Sequence, residues 1–197
     1  TPLGAVRRQN VAVLFTDIVG FTGMSEQRSP EQVIALLRGF HGRMEEIVFA
    51  HGGTLDKYIG DAVMATFGTP ESGARDASDA LACARTMADA MKAWNAERAA
   101  AGEAPVEAGI GVQYGPAVLG DIGGAHRLEF AVIGDTVNVA SRLERLTRNL
   151  DVEIVVGGDL VAEVRREGGG ENLLEGFSER IGQEIPGRSG TITIWAR

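Results

Sequence analysis

An apolar run near the start of the chain ends abruptly in a carboxylate. Residues Val11 to Phe15 are β-branched or apolar, and Thr16 and Asp17 follow them just before a turn at Gly20. Because polar residues precede the run and a glycine closes the turn after it, this stretch is typical of a strand in the middle of a sheet covered on both faces. The sequence therefore predicts a buried strand that leads into a functional loop, with Asp17 where the strand ends.

A second carboxylate, Asp61, stands in a predicted hairpin turn. Gly60 and Asp61 form a turn dipeptide between two strand-like runs. If this hairpin lies beside the first strand, Asp17 and Asp61 face each other at one edge of the sheet. Two carboxylates that leave coordination positions open suit Mg²⁺ ions that carry a polyphosphate. Asp17 alone would be better explained as a cap of the turn, so the metal interpretation depends on the pair.

Composition excludes several classes of function. The 197 residues are 44% hydrophobic, which is enough for one domain with a full core. The formal charge of −8 argues against a nucleic-acid or anionic-membrane partner, since those surfaces need a basic patch. The single cysteine, Cys83, excludes an internal disulfide and is expected to pack in the core. No apolar run approaches the roughly 20 residues of a membrane-spanning helix.

The remaining chain predicts alternating strands and helices in the order βαββαβ. Ser29, Pro30 and Gln32 provide an N-cap, a first-turn proline and a capping box for a helix that ends at Gly52-Gly53. Later elements are expected as a helix over 73–98, a strand over 106–113, a two-stranded arm over 115–133, a helix from Asp135, and a closing edge strand over 191–195. The partly exposed apolar residues of the arm favour pairing with a second subunit.

Three ordered motifs carry a resemblance to a known family. They are residues 15–22 (FTDIVGFT), residues 56–61 (DKYIGD) and residues 132–143 (VIGDTVNVASRL). Together they resemble the catalytic domain of class III nucleotidyl cyclases, from about Asn10 to the C-terminus. The resemblance implies an α+β fold with a ferredoxin-like βαββαβ sheet and helices packed on it. We accordingly expect residues 1–9 to be an N-terminal segment or linker and residues 10–197 to be the catalytic domain, as part of a longer regulatory protein.

The same resemblance implies roles for individual residues. Asp17, Asp61 and the carbonyl of Ile18 would hold two Mg²⁺ or Mn²⁺ ions per site. Asn138 would orient the ribose and Arg142 would stabilise the α-phosphate, both acting from the partner subunit of a homodimer with shared active sites. The remaining substrate contacts are expected from the turn Gly20, Phe21 and Thr22 and from Arg188, whose alternative interpretation is a surface arginine in a turn.

Base selection is expected to depend on Lys57 and Ala131. Adenine N1 accepts a hydrogen bond and guanine N1 donates one, so the ammonium of Lys57 favours ATP. The family usually supplies an acceptor for the adenine amino group seven residues before Asn138, and this chain has Ala131 there. Glu129, two residues earlier, is an alternative acceptor. A cyclase with relaxed or GTP preference therefore stays open beside strict ATP use.

The sequence thus predicts an adenylate cyclase that converts ATP into cyclic AMP and pyrophosphate. We expect a cytoplasmic homodimer without nucleic-acid partners or direct membrane contact, although the parent protein could be membrane-anchored. A catalytically silent nucleotide-binding module is the alternative from another class. It is disfavoured because Asp17, Asp61, Asn138 and Arg142 occur together. A diguanylate cyclase is disfavoured because the chain has no Gly-Gly-Asp-Glu-Phe signature.

Overall fold

A single mixed sheet with helices on both faces forms the framework of the domain. The computed structural model describes residues 5–197, so residues 1–4 of the predicted linker lie outside the described residues. The elements are β1 Arg7–Ile18, α1 Phe21–Glu26, α2 Pro30–Ala50, β2 Thr54–Ile59, β3 Ala62–Phe67, α3 Asp76–Ala100, β4 Ala108–Gly124, β5 Arg127–Ile133, α4 Asp135–Leu150, β6 Ile154–Gly157, α5 Gly158–Arg166, β7 Ser178–Glu184 and β8 Thr191–Ala196. The predicted α+β class and the order βαββαβ are confirmed.

The first strand lies in the interior of the sheet, as its apolar run predicted. The strand order is β2-β3-β1-β4-β6-β8-β7, and β5 pairs separately with β4. β1 starts at Arg7, four residues before the apolar run, because its N-terminal half continues the antiparallel ladder with β4. The prediction that residues 191–195 form an edge strand is wrong. β8 lies between β6 and β7, and the edge strand β7 was missed because its sequence is polar and largely exposed.

Side-chain alternation along β1 separates two packing layers. Ala12, Leu14 and Ile18 pack into the main core together with α2 and α3. Val11, Val13 and Phe15 pack on the opposite face, in a cluster that includes Ala140 of α4. Since successive side chains in a strand point to opposite faces, Asp17 belongs to the α4 face. The end of β1 therefore presents its carboxylate to α4.

The helices begin and end close to the predicted positions. Ser29 caps α2 through the Gln32 backbone N–H, and the Gln32 side chain accepts in return from the Ser29 backbone N–H, so the capping box is confirmed. α3 begins at Asp76, a few residues later than expected. Cys83 is fully buried on this helix, as predicted. Within residues 5–197 no helix combines the length and the apolar character that crossing a membrane requires.

Two glycines in β4 allow α4 to lie close to the sheet. A Cβ atom at Gly111 would overlap the backbone of Glu144, and one at Gly109 would overlap the side chains of Thr147 and Glu144. At Gly111 only glycine leaves room for the helix backbone, and at Gly109 a larger residue would displace the Thr147 and Glu144 side chains. The close approach brings the C-terminal half of α4 against the end of β1.

The expected arm is a continuation of β4 rather than a separate segment. β4 runs without interruption from Ala108 to Gly124 and pairs there with β5. The sequence predicted a break near Gly115, because glycine and proline occur together at that point. Ile122, Leu128 and Ile133 of this β4–β5 arm are each about half exposed. The arm therefore carries apolar surface that the single chain leaves uncovered.

Candidate active site

Asp17 and Asp61 lie together at one end of the central strand. The backbone N–H of Ile18 donates a 2.9 Å hydrogen bond to the Asp61 carboxylate, across the gap between β1 and the β2–β3 turn. Gly60 adopts φ 61°, which permits the tight turn that presents Asp61. The negative charge of Asp17 raises the pKa of the Asp61 carboxyl, so the two carboxylates are near neighbours. The structure therefore brings together the two carboxylates that the sequence paired.

Glu144 and Arg148 of α4 join Asp17 in a charged cluster that the sequence did not predict. Arg148 lies 2.5 Å from the Asp17 carboxylate and also pairs with the carboxylate of Glu144 one helical turn earlier. Glu144 is only 4% exposed, although its residue type is rarely buried without a partner. The i,i+4 spacing of Glu144 and Arg148 was visible in the sequence. What the sequence did not show is that the glycines of β4 bring this pair to Asp17.

The charges of the cluster perturb one another. Burial raises the pKa of the Asp61 carboxyl, and the charge of Asp17 raises it further, while the hydrogen bond from Ile18 lowers it. Burial, followed by a hydrogen bond to Asp17 and the charge of Asp17, raises the pKa of Glu144 to about 8, against the opposing effect of Arg148. Crowded carboxylates of this kind attract a cation. Perturbed acids of this kind are also typical of functional sites.

The donor set fits a hard divalent cation that a substrate completes. Two carboxylates with a backbone carbonyl beside them are oxygen ligands of the type that Mg²⁺ and Mn²⁺ prefer. Over residues 5–197, no three His, Cys, Asp or Glu side chains converge as a ready metal cage. A cation at Asp17 and Asp61 would therefore take its remaining ligands from water and from phosphate oxygens. Such partial coordination by protein is the usual arrangement for magnesium with nucleotides.

The turn after β1 is open to a ligand. Gly20 adopts φ 71° and is the N-cap of α1, whose first residues are Phe21 and Thr22. A Cβ atom at Gly20 would meet no atom within 4 Å among the described residues. Space therefore surrounds the backbone at this point. The sequence predicted a loop here, and the structure adds a helix of six residues.

Asn138 and Arg142 lie on α4, away from the buried stripe. Asn138 is exposed in the first turns of the helix, and Arg142 follows it at i+4 on the same side. Arg188 pairs with Asp135 at the start of α4, 2.5 Å apart, and Gly187 beside it lies next to the Arg142 guanidinium. The three predicted substrate contacts thus gather near α4.

Arg142 and Asp17 line one cavity of about 550 Å³. Its lining consists of Asp17, Arg142, Arg145, Arg148, Asn149 and Pro186. The lining is strongly cationic apart from Asp17. Charges of this sign suit phosphate groups, which arginine binds through paired hydrogen bonds.

The predicted base contacts lie beside the hairpin and the arm. The side chain of Lys57 is 48% exposed, and its ammonium lies 3.5 Å from the Asp56 carboxylate. Ala131 is buried on β5, where it pairs with Gly120 of β4. Glu129, the alternative acceptor, is half exposed and forms an ion pair with Arg127.

A histidine to which the sequence analysis gave no role supports the Asp61 turn. Nε2 of His41 lies 3.0 Å from the backbone carbonyl of Asp61, and its ring stacks on Tyr58 with centroids 4.2 Å apart. The stacking and the hydrogen bond tie α2 to the hairpin. Sequence reasoning missed this contact because His41 lies 20 residues before Asp61 in the chain.

The fold and this constellation of acids and arginines define a nucleotide cyclase domain. A sequence profile described as the adenylate and guanylate cyclase catalytic domain matches residues 3–168. The chain belongs to this family. Adenylate cyclase 1 of Rhizobium meliloti is 38% identical over 82% of this chain, and the adenylate cyclase of Anabaena cylindrica is 34% identical over 98% of it. The matched regions are 24% and 38% of those proteins, so the chain spans well under half of these curated relatives.

Solved structures agree with this assignment. The crystal structure of the adenylyl cyclase CyaB from P. aeruginosa is similar with a TM-score of 0.82 and 29% identity, over 98% of this chain and 95% of that one. The crystal structure of the guanylyl cyclase Cya2 also reaches a TM-score of 0.82, with 30% identity over 96% of this chain and 92% of that one. The fold is therefore common to cyclases named for either nucleotide.

Proposed function

We propose that this domain is the catalytic unit of an adenylate cyclase, which converts ATP into 3′,5′-cyclic AMP and pyrophosphate. The observation that supports this most directly is the convergence of Asp17 and Asp61, with Ile18 holding the Asp61 carboxylate in place. Two adenylate cyclases among its relatives, at 38% and 34% identity, support the same activity.

The reaction makes one phosphorus–oxygen bond and breaks another. The ribose 3′-oxygen attacks the α-phosphorus, the bond from that phosphorus to the bridging oxygen breaks, pyrophosphate leaves in line, and the hydroxyl proton passes to solvent. Nothing covalent is required of the protein, so its contribution is positioning and charge stabilisation. Two Mg²⁺ or Mn²⁺ ions, bound by Asp17, Asp61 and the Ile18 carbonyl, would supply positive charge that lowers the pKa of the hydroxyl and neutralises the leaving phosphates.

The side chains of α4 would act on the reacting phosphate and the ribose. Arg142 carries a permanent charge on a planar fork, so it would stabilise the charge that develops on the α-phosphate. Asn138, one turn earlier on the same side, would orient the ribose by hydrogen bonds. Arg188 would contact the triphosphate after exchanging its partner Asp135 for phosphate oxygens. The open backbone at Gly20, Phe21 and Thr22 would provide N–H donors to the phosphates.

Asn138 and Arg142 would work across a homodimer with two shared sites. The support on this chain is the β4–β5 arm, whose Ile122, Leu128 and Ile133 are about half exposed and would be covered by a second subunit.

A domain that uses ATP and carries one buried free thiol suits the cytoplasm. The negative net charge gives no basis for a nucleic-acid partner.

GTP is the second candidate substrate. Ala131 provides no side-chain acceptor for the adenine amino group, and the guanylyl cyclase Cya2 is as similar in fold as the adenylyl cyclase CyaB. Lys57 opposes this candidate, because an ammonium cannot accept the N1–H of guanine. The alternative without catalysis, a silent nucleotide-binding module, would bind ATP but would form no cyclic product.

Product identification tests these candidates directly. The purified protein is incubated with ATP or GTP and Mn²⁺, and the product is identified by mass. Cyclic AMP from ATP is expected, and its formation should fall by at least about 1000-fold in Asp17→Ala and Asp61→Ala. Asp89→Ala is the matched control, because Asp89 is 71% exposed on α3 and pairs with Arg197 rather than with a residue of the site. Full activity of either site variant would refute the role of the two carboxylates.

A further inference from the structure

A β-bulge in β2 turns Asp56 and Lys57 to the same face of the sheet. Leu55 pairs with Ala65 and Lys57 pairs with Met64, so Asp56 is the extra residue that has no partner on β3. Leu55 and Ala65 pack toward α2 and α3, whereas Met64 packs on the opposite face with Phe15. Lys57 therefore lies on the same face as Asp17, and the bulge sets Asp56 beside it.

The Asp56 carboxylate is buried and incompletely paired. Its side chain is only 5% exposed, and its Oδ2 has no hydrogen-bond partner among the described residues, although the Lys57 ammonium lies 3.5 Å away. Burial raises the pKa of the Asp56 carboxyl, the neighbouring Lys57 ammonium lowers it, and the charge of Glu129 raises it slightly. A buried carboxylate oxygen whose nearest donor is an ammonium 3.5 Å away is incompletely satisfied, so a closer donor from a ligand would be favourable here.

Adenine presents two adjacent polar groups that a selective site has to match. Its N1 accepts a hydrogen bond and its 6-amino group donates one, whereas guanine presents a donor at N1 and an acceptor at O6. A donor next to an acceptor therefore reads adenine and rejects guanine. Lys57 is the donor of such a pair, and Ala131 has no side-chain oxygen to serve as the acceptor.

We propose that Asp56 is the residue that accepts the adenine 6-amino group, so that Asp56 and Lys57 together select ATP. The amino group would supply Oδ2 with a closer donor than the Lys57 ammonium, which lies 3.5 Å away. Guanine would set its O6 against the carboxylate and its N1–H against the ammonium, and both contacts are repulsive. This inference rests on the proposed function, and it makes the β2 bulge, rather than position 131 on β5, the source of base selectivity.

The test compares ATP with purine riboside triphosphate, which lacks only the 6-amino group. Wild-type protein should prefer ATP by roughly 10- to 100-fold in kcat/KM, as expected for one well-placed polar contact to a base. Asp56→Leu has a similar shape, removes the unpaired buried oxygen and is expected to fold. In this variant the preference should collapse to within about 3-fold of unity, because only the ATP reaction loses a contact.

A matched variant and a rival variant complete the design. Asp56→Asn keeps a carbonyl oxygen at the same place and should retain most of the ATP preference. If Asp56 only positions Lys57, Asp56→Leu will slow both substrates equally and leave the ratio unchanged, which overturns the inference. A ratio that collapses in Glu129→Leu, which removes the alternative acceptor, but not in Asp56→Leu also overturns it.

Binding measurements separate failure of this inference from failure of the proposed function. Calorimetric titration of both nucleotides in the presence of Mn²⁺ measures the ratio of their affinities. This readout does not depend on formation of a product. Absence of any cyclic product from wild-type protein refutes the cyclase activity and leaves the binding ratio as the readout. An ATP preference in binding that disappears in Asp56→Leu supports the role of Asp56, and equal binding of the two nucleotides by wild-type protein refutes it.

Discussion

The guanidinium of Arg148 lies 2.5 Å from the carboxylate of Asp17, the first predicted metal ligand. The side chains are 32% and 21% exposed, so the pair is partly shielded from water. Arg148 also pairs with Glu144 and in this way offsets part of the negative charge that Asp17, Asp61 and Glu144 concentrate there. A cation that binds Asp17 has to displace this guanidinium or share the carboxylate with it. Arg148 is therefore expected to compete with divalent cations.

Removing the competing charge should strengthen metal binding. Arg148→Met keeps the length of the side chain and loses the charge. We expect Mn²⁺ to bind about 5-fold more tightly, which corresponds to the ~1 kcal/mol of a partly exposed ion pair. Electron paramagnetic resonance of free Mn²⁺ in a titration without nucleotide measures the affinity directly and does not depend on turnover.

Arg145→Met is the control for this substitution. Arg145 lies on the same helix and lines the same cavity, but it is exposed and is not paired with Asp17. Its loss should alter Mn²⁺ affinity by less than about 2-fold, since an unpaired surface charge acts through solvent. Weaker Mn²⁺ binding by Arg148→Met would mean that Arg148 organises the metal site instead of competing for it.

The elements that depend on local patterns were predictable from the sequence. The run from Val11 to Phe15 gave a central strand, Ser29 and Gln32 gave a capping box, and Gly60 gave the hairpin turn. Each of these signals acts over a few residues. The polar edge strand β7 was missed, since an exposed strand needs no apolar alternation.

The site contacts that depend on packing between distant segments were not predictable. Arg148 reaches Asp17 across 131 residues of sequence, and it does so because Gly109 and Gly111 let α4 approach β4. The bulge at Asp56 likewise depends on the register of β2 against β3. The register depends on both paired strands and on the turn between them, so the pattern of β2 alone did not reveal the bulge.

Loss of the hydrogen bond between His41 and the Asp61 carbonyl should weaken metal binding. His41→Phe keeps an aromatic ring to stack on Tyr58 but removes the Nε2 donor 3.0 Å from the carbonyl oxygen. We expect Mn²⁺ affinity to fall roughly 3- to 10-fold, in line with the ~1 kcal/mol of a typical hydrogen bond. Tyr58→Phe, which loses only the hydroxyl contact to Glu45, should leave the affinity unchanged. Equal affinities for His41→Phe and wild-type protein would refute this role.

The single thiol provides a test of folding that applies to every variant. Burial raises the pKa of Cys83 to about 12 from an ordinary value of 9.0. Because the folded-state pKa is the higher one, the contribution of Cys83 to stability is complete below about pH 9 and is lost as the pH rises through 12. At pH 8 the folded protein should react with a disulfide reagent at least about 100-fold more slowly than the urea-unfolded chain. Rapid reaction of the native protein would show that α3 opens readily.

Mixing two inactive variants should restore activity if the sites are shared between subunits. In Asp17→Ala the predicted metal ligand is lost, and in Arg142→Ala the predicted phosphate contact is lost. A heterodimer of the two has one site that lacks both residues and one that lacks neither. Random exchange of equal amounts should therefore give about a quarter of wild-type activity, since half of the dimers carry one intact site of two. Subunit exchange is verified by mass spectrometry, and exchange without recovery of cyclic product would place Asp17 and Arg142 of one chain in the same site.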